Sequence, residues 1–169
     1  VTKFCKQPTP IAAQELIFSL TRLLKSLLDC DDGMASDAPK VIEGCFIFAL
    51  IWSVGVCIDG KGRKKFDSYI RLLLSAEVYE TPEYEDFRIK NPSYVADMSR
   101  KALVIPPHEN SIYDYYFDTK TAKWTHWLEG LPTFKIDKDA QFNSIVVPTI
   151  DTTRNEWLLE KLLRKGYHV

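Results

Sequence analysis

The chain has 169 residues, of which 46% are hydrophobic and 27% charged, and its formal net charge is −1. That length can bury one good core or two small ones. A balance this close to neutral offers no electrostatic case for nucleic acid or an anionic membrane as a partner.

Thr9-Pro10 reads as a helix start, with proline at the first helical position. Leu16, Ile17, Leu20, Leu23, Leu24, Leu27 and Leu28 then recur as one wide apolar stripe. Asp-Asp-Gly and Ser-Asp-Ala-Pro mark a polar loop over 29–39. A second helix is predicted over about 39–56, apolar nearly all round, with Phe46, Ile47, Phe48, Leu50, Ile51, Trp52 and Val54. The charge-free run 44–58 is shorter than the ~20 residues of a membrane span and fits a helix buried on all sides. Asp59-Gly-Lys-Gly62 breaks it, and a third helix follows with Phe66, Tyr69, Ile70, Leu73 and Leu74 inward. Glu77, Glu80, Glu83, Glu85 and Asp86 make 77–92 a solvated loop, 93–100 is a short helix, and Pro106-Pro107 is a boundary.

Beyond that boundary the pattern changes to strands. Aromatic-rich 112–118, a turn over Thr119-Lys-Thr-Ala122, and 123–128 predict an antiparallel hairpin whose aromatics pack as core. Trp124 and Trp127, three residues apart, should face opposite sides of a regular strand. The stretch 134–142 is mixed, and 145–147 is a short strand or extended lead-in. A last helix opens near Asp151 or Thr153, with Thr153-x-x-Glu156 fitting a capping box. It carries Leu158, Leu159, Leu162 and Leu163 on one face, Lys161, Arg164 and Lys165 near its end, and Gly166 as its left-handed stop.

Few residues suggest chemistry. Cys5, Cys30, Cys45 and Cys57 have no C-x-x-C spacing, and His108, His126 and His168 have no ligand-spaced partner, so no zinc or thioredoxin motif is present. No Ser–His–Asp set can be assembled, and Asp137, Asp139 and Asp151 have nothing to place them in a cleft. Gly55 to Gly62 nearly matches GxxxxGK[ST], which would make the chain a degenerate P-loop protein. Its last position lacks the hydroxyl for Mg²⁺, and Asp59 would repel phosphate. Lys61, Arg63, Lys64 and Lys65 read as a solvated helix start, or as a contact for an acidic neighbouring surface.

Three segments carry a family resemblance. Val147-Pro-Thr-Ile-Asp-Thr-Thr-Arg154 resembles the segment just upstream of the Walker A loop in the third AAA+ module of dynein heavy chains. Cys45-Phe-Ile-Phe-Ala-Leu-Ile-Trp-Ser-Val-Gly55, with Gly62-Arg63-x-x-Phe66-Asp67, resembles the helical lid that follows the second module. Tyr113-x-Tyr-Tyr-Phe-Asp118, with Trp124-x-x-Trp127, resembles the aromatic hairpin between them. All three stand in the family's order.

The resemblance implies a mainly α fold: a helical AAA+ lid-type bundle, a small antiparallel β hairpin over about 112–128, and a C-terminal helix. It implies a lid with its extension over 1–133 and the edge of the third module's large domain over 134–169. It places Val147, Pro148 and Thr149 on the adenine side of that module's ATP site, and it puts no catalytic residue in this stretch. The implied parent is an ATP-driven microtubule motor using ATP or ADP with Mg, whose partners are adjacent AAA+ modules, microtubules, and intermediate and light chains. No tight nucleotide binding is expected of this stretch alone. The opening Lys3-Phe-Cys-Lys-Gln-Pro8 looks axonemal, which implies a cilium or flagellum. The alternative is a stand-alone helical scaffold.

Overall fold

The helix that organises the molecule, α2 (Ala38–Ser53), starts where Asp37 caps it. The Asp37 carboxylate accepts the Lys40 backbone N–H at 3.4 Å and pairs with its ammonium at 2.8 Å. That hydrogen-bonded lysine holds the Asp37 carboxyl below its ordinary pKa. In this computed structural model, residues 5–29, 33, 35–75, 89, 102–129 and 149–167 are described. The expected loop over 77–92 (Ile89 apart), the helix over 93–100, the segments 134–142 and 145–147, Cys30 and His168 lie outside the described residues.

Val41, Phe48, Ala49 and Ile51 of α2 are fully buried. By length and composition alone, Ala38–Cys57 could cross a membrane; here its buried face packs on α1 (Ala13–Leu28) and on the hairpin. It is not buried on all sides, because Ile42 and Phe46 are 53% and 44% exposed. These two sit four residues apart on one outward face.

Helix α1 begins at Ala13, not at Pro10. The lead-in stays extended through Ala12, whose carbonyl takes the Glu15 and Leu16 N–H groups. Leu16, Leu23 and Leu27 point inward, with Leu20, Leu24 and Leu28 half-buried. The expected stripe is too wide: Ile17 is 60% exposed, and its neighbour Phe18 is 62% exposed.

The break after α2 comes earlier than the glycine-rich run suggests. A 3₁₀ turn at Gly55–Cys57 and an extended Ile58 end the helix. Gly60, Lys61 and Gly62 already form the first turn of α3 (Gly60–Ser75). The Asp59 carboxylate accepts the Gly62 N–H at 2.7 Å and its carbonyl takes the Arg63 N–H at 2.9 Å. Phe66, Ile70 and Leu72 are buried, whereas Leu73 is 37% exposed. The inward set differs from the expected one because α3 is covered on two sides. The core lies on one, and the 102–114 segment lies on the other and buries Arg71.

Strands β1 (Tyr115–Asp118) and β2 (Lys123–His126) form the expected antiparallel hairpin, pairing Tyr115 with His126 and Phe117 with Trp124. Residues 112–114 are a capped 3₁₀ turn and not strand. A Cβ on Gly44 would overlap the Phe117 ring, so that glycine lets the hairpin lie directly on α2. The tryptophans do not face opposite ways. The strand stops at His126 and Trp127 turns back, its N–H donating to the Asp114 carbonyl at 3.0 Å and its indole N–H to the Tyr113 carbonyl at 3.1 Å. Both indoles therefore reach Phe48, at 6.5 and 6.2 Å between ring centroids.

The last helix, α4 (Ile150–Arg164), opens at Thr149, ahead of both expected caps. The Thr149 hydroxyl accepts the Thr152 N–H at 3.1 Å, and the Thr152 hydroxyl accepts the Thr149 N–H at 2.7 Å. Asp151 instead pairs with Arg154 in the first turn. Gly166 closes the helix at φ 71°, and the Gly166 and Tyr167 N–H groups donate to the Leu163 and Leu162 carbonyls. Thr149→Ala is expected to destabilise this helix end by ~1 kcal/mol. Amide exchange over residues 150–153 would report it, and unchanged protection there would contradict the cap.

Candidate functional site

Of the three residues placed by resemblance beside an adenine, Thr149 is described and Val147 and Pro148 lie outside the described residues. Thr149 is exposed and sits at the N-terminus of α4, where unpaired N–H groups and the helix dipole favour a polar or anionic neighbour.

About two turns further on, α4 enters the body of the molecule. Trp157 meets Phe48 edge-on at 5.3 Å, Trp127 edge-on at 5.6 Å and Tyr116 at 5.7 Å. Trp52 packs edge-on against Tyr113 at 6.3 Å and Trp127 at 5.9 Å. The Arg154 guanidinium lies over the Trp52 ring at 5.5 Å, and the Lys161 ammonium lies 5.5 Å over Trp157. The result is a knot of rings centred on Phe48, fed by α2, the hairpin and α4. Such rings bury large apolar areas in favoured edge-to-face geometry. They carry no titrating or nucleophilic group at the centre, so the arrangement is suited to holding elements together.

Leu158 and Leu162 turn toward the core beside Trp157. Leu159 and Leu163, expected on the same face, are 41% and 59% exposed. Starting the helix at Ile150 and seating Trp157 rotates the inner face toward 154, 157, 158 and 162. Together with Phe18, Arg22 and Tyr167, Leu159 lines an open groove of about 670 Å³ between α1 and α4.

The near-P-loop at Gly55 to Gly62 has no phosphate cradle. The α3 N-terminus is occupied by the Asp59 carboxylate. The Arg63 side chain turns back to the Ile58 and Val56 carbonyls at 3.2 and 2.9 Å and covers the Tyr113 ring at 5.5 Å. Tyr113 donates its hydroxyl to the Gly55 carbonyl at 2.8 Å, and burial raises its pKa far above the ordinary phenol value. Burial likewise raises the Cys5 and Cys57 thiols, which leaves them poor nucleophiles.

A second polar centre joins α3 to the segment before the hairpin. Arg71 bonds the Asp67 carboxylate at 2.6 Å, the Pro106 and Asn110 carbonyls at 3.1 and 2.8 Å, and His108 Nδ1 at 3.0 Å. Asp67 also accepts the Ile112 N–H at 3.4 Å. No group of three or more metal-ligating side chains occurs among the described residues. Sequence reasoning missed Arg71, Arg154 and Trp157. The Asp67-to-Arg71 spacing of four was a readable ion-pair signal, and Trp157 is the lone aromatic in a leucine-rich helix.

A three-helix body capped by an aromatic hairpin, with a further helix keyed into its core, defines a mainly helical structural module. The chain belongs to the dynein heavy chain family. Residues 1–129 match the dynein heavy chain AAA lid domain, and residues 134–169 match the P-loop containing dynein motor region. It is 30% identical over 165 residues to the Chlamydomonas reinhardtii dynein-1-alpha heavy chain of the flagellar inner arm I1 complex, covering 95% of this chain and 3% of that protein. Against human dynein axonemal heavy chain 2 the identity is 27% over 164 residues, covering 94% and 3%. Against human dynein axonemal heavy chain 12 it is 33% over 120 residues, covering 70% and 4%. The chain thus spans a few per cent of the length of these relatives.

Proposed function

We propose that this chain is the non-catalytic junction between two neighbouring AAA+ modules of an axonemal dynein heavy chain, an ATP-driven microtubule motor of cilia and flagella. Residues 1–133 serve as the lid of the second module with its hairpin, and 134–169 begin the large domain of the third. Val147, Pro148 and Thr149 line the adenine side of the third module's nucleotide site, where the longer protein holds ATP or ADP with Mg²⁺. Its partners are the adjacent modules and, through the longer heavy chain, microtubules and intermediate and light chains.

One observation carries this reading. The two family matches abut in one chain, and the helix from the second is keyed by Trp157 into the core built by the first. A lid that shifts with nucleotide therefore has a stiff attachment through which to move its neighbour. The test is Trp157→Ala in the longer heavy chain, with ATP turnover and microtubule gliding both measured. We expect turnover to persist while gliding slows. Unchanged gliding with the helix demonstrably loosened would overturn the coupling role.

The chain by itself is expected to bind ATP weakly or not at all, because Asp59 caps the glycine-rich start of α3. Calorimetric titration with Mg·ATP checks this. Low-micromolar binding lost on Lys61→Ala would contradict it.

A further inference from the structure

Arg154 sits on the outer turn of α4 nearest to Thr149, and its side chain is 21% exposed. Asp151 holds the guanidinium from one side. Its Cζ lies 5.5 Å from the ring centroid of Trp52, which belongs to α2 and is 8% exposed. Trp157 makes the next attachment one turn later. Through its ring contacts, α4 thus meets α2 at Arg154 over Trp52 and at Trp157 against Phe48, the first being a cation over an aromatic face.

We infer that Arg154 is a positioning residue: by lying over the Trp52 ring it fixes the start of α4, and with it Thr149, to the lid helix α2. The inference rests on the functional reading above for what Thr149 touches, but the tie itself is a property of this chain. Trp157, Leu158 and Leu162 seat the middle of α4 on the core, and Ile150 packs there by apolar contact alone. Arg154 adds a directional contact in the turn between them, which holds Thr149 in one orientation to α2. Asp151 contributes by presenting the guanidinium face; an exposed pair of this kind stabilises little on its own.

Hydrogen exchange of the 149–158 amides in the 169-residue chain tests the tie. Arg154→Ala is expected to speed exchange there by about three- to thirtyfold, the range a partly desolvated cation–π contact corresponds to. Protection of α2 should be unchanged. Arg154→Lys, which keeps the charge but not the broad guanidinium over the ring, should restore only part of the protection. Asp151→Asn should change it least. Trp52→Phe combined with Arg154→Ala should speed exchange by less than the product of the two single effects. Full protection in Arg154→Ala, or complete rescue by lysine, overturns the inference. The functional reading is tested separately by nucleotide affinity at the third module in the longer heavy chain. Loosened exchange with unaltered affinity would retain the tie and remove its link to the nucleotide site.

Discussion

Replacing Phe48 with alanine is expected to destabilise the chain by ~3–5 kcal/mol, the usual cost of deleting a buried aromatic ring. Phe48 is fully buried and lies within 6.5 Å of the rings of Trp52, Trp124, Trp127 and Trp157. The void cannot collapse easily, because its walls are large, rigid indoles anchored on three separate elements. A domain of this size has only ~5–15 kcal/mol of stability, so the variant should lose a large part of it. Urea unfolding followed by tryptophan emission would measure this. Phe48→Leu, which fills more of the space, should recover over half of the loss. A cost for alanine below ~1 kcal/mol would mean that the knot does not bear on the fold as described.

The second large effect concerns the Asp67–Arg71 pair. Their side chains are 18% and 8% exposed, and the guanidinium bridges α3 to the carbonyls of Pro106 and Asn110. Asp67→Ala leaves a nearly buried cation without the carboxylate at 2.6 Å, and is expected to cost ~3–5 kcal/mol. The double change Asp67→Leu with Arg71→Met removes the charge as well as its partner, and should be less damaging than Asp67→Ala alone. The comparison is made by chemical denaturation at neutral pH. Should the double variant prove worse, the carbonyl bonds and not the ion pair hold the 106–114 segment in place.

The parts of this fold written in short-range patterns were legible. The helix order, the hairpin with its turn over 119–122, the left-handed stop at Gly166, and the inward placement of Phe66, Ile70 and Phe48 all follow from periodicity and turn chemistry. What sequence reasoning lost depends on neighbours distant in the chain. Arg71 is buried because the Pro106 and Asn110 carbonyls bond it from across α3, and Leu159 yields to Trp157 because one ring outweighs a leucine in setting the helix's rotation. The hairpin tryptophans share a core because the strand ends one residue before Trp127, a boundary that alternation cannot announce. Caps shifted in the same way. Thr149 was already the residue before the helix, yet Asp151 and Thr153 offered equally good side chains. The adenine-side assignment of Val147, Pro148 and Thr149 came from resemblance, since an extended Val-Pro-Thr has no chemistry that distinguishes it from any strand end.

The central claim is that α4 and the lid helices behave as one body across the nucleotide cycle. Spin labels at Thr21 on α1 and Glu156 on α4, both exposed, can be placed in the longer heavy chain. Pulsed electron–electron resonance then gives their separation with ADP and with a non-hydrolysable ATP analogue. We expect a single narrow distance that does not move with nucleotide and that broadens in Trp157→Ala. A distance that shifts between the two nucleotide states in the unaltered protein would contradict the account.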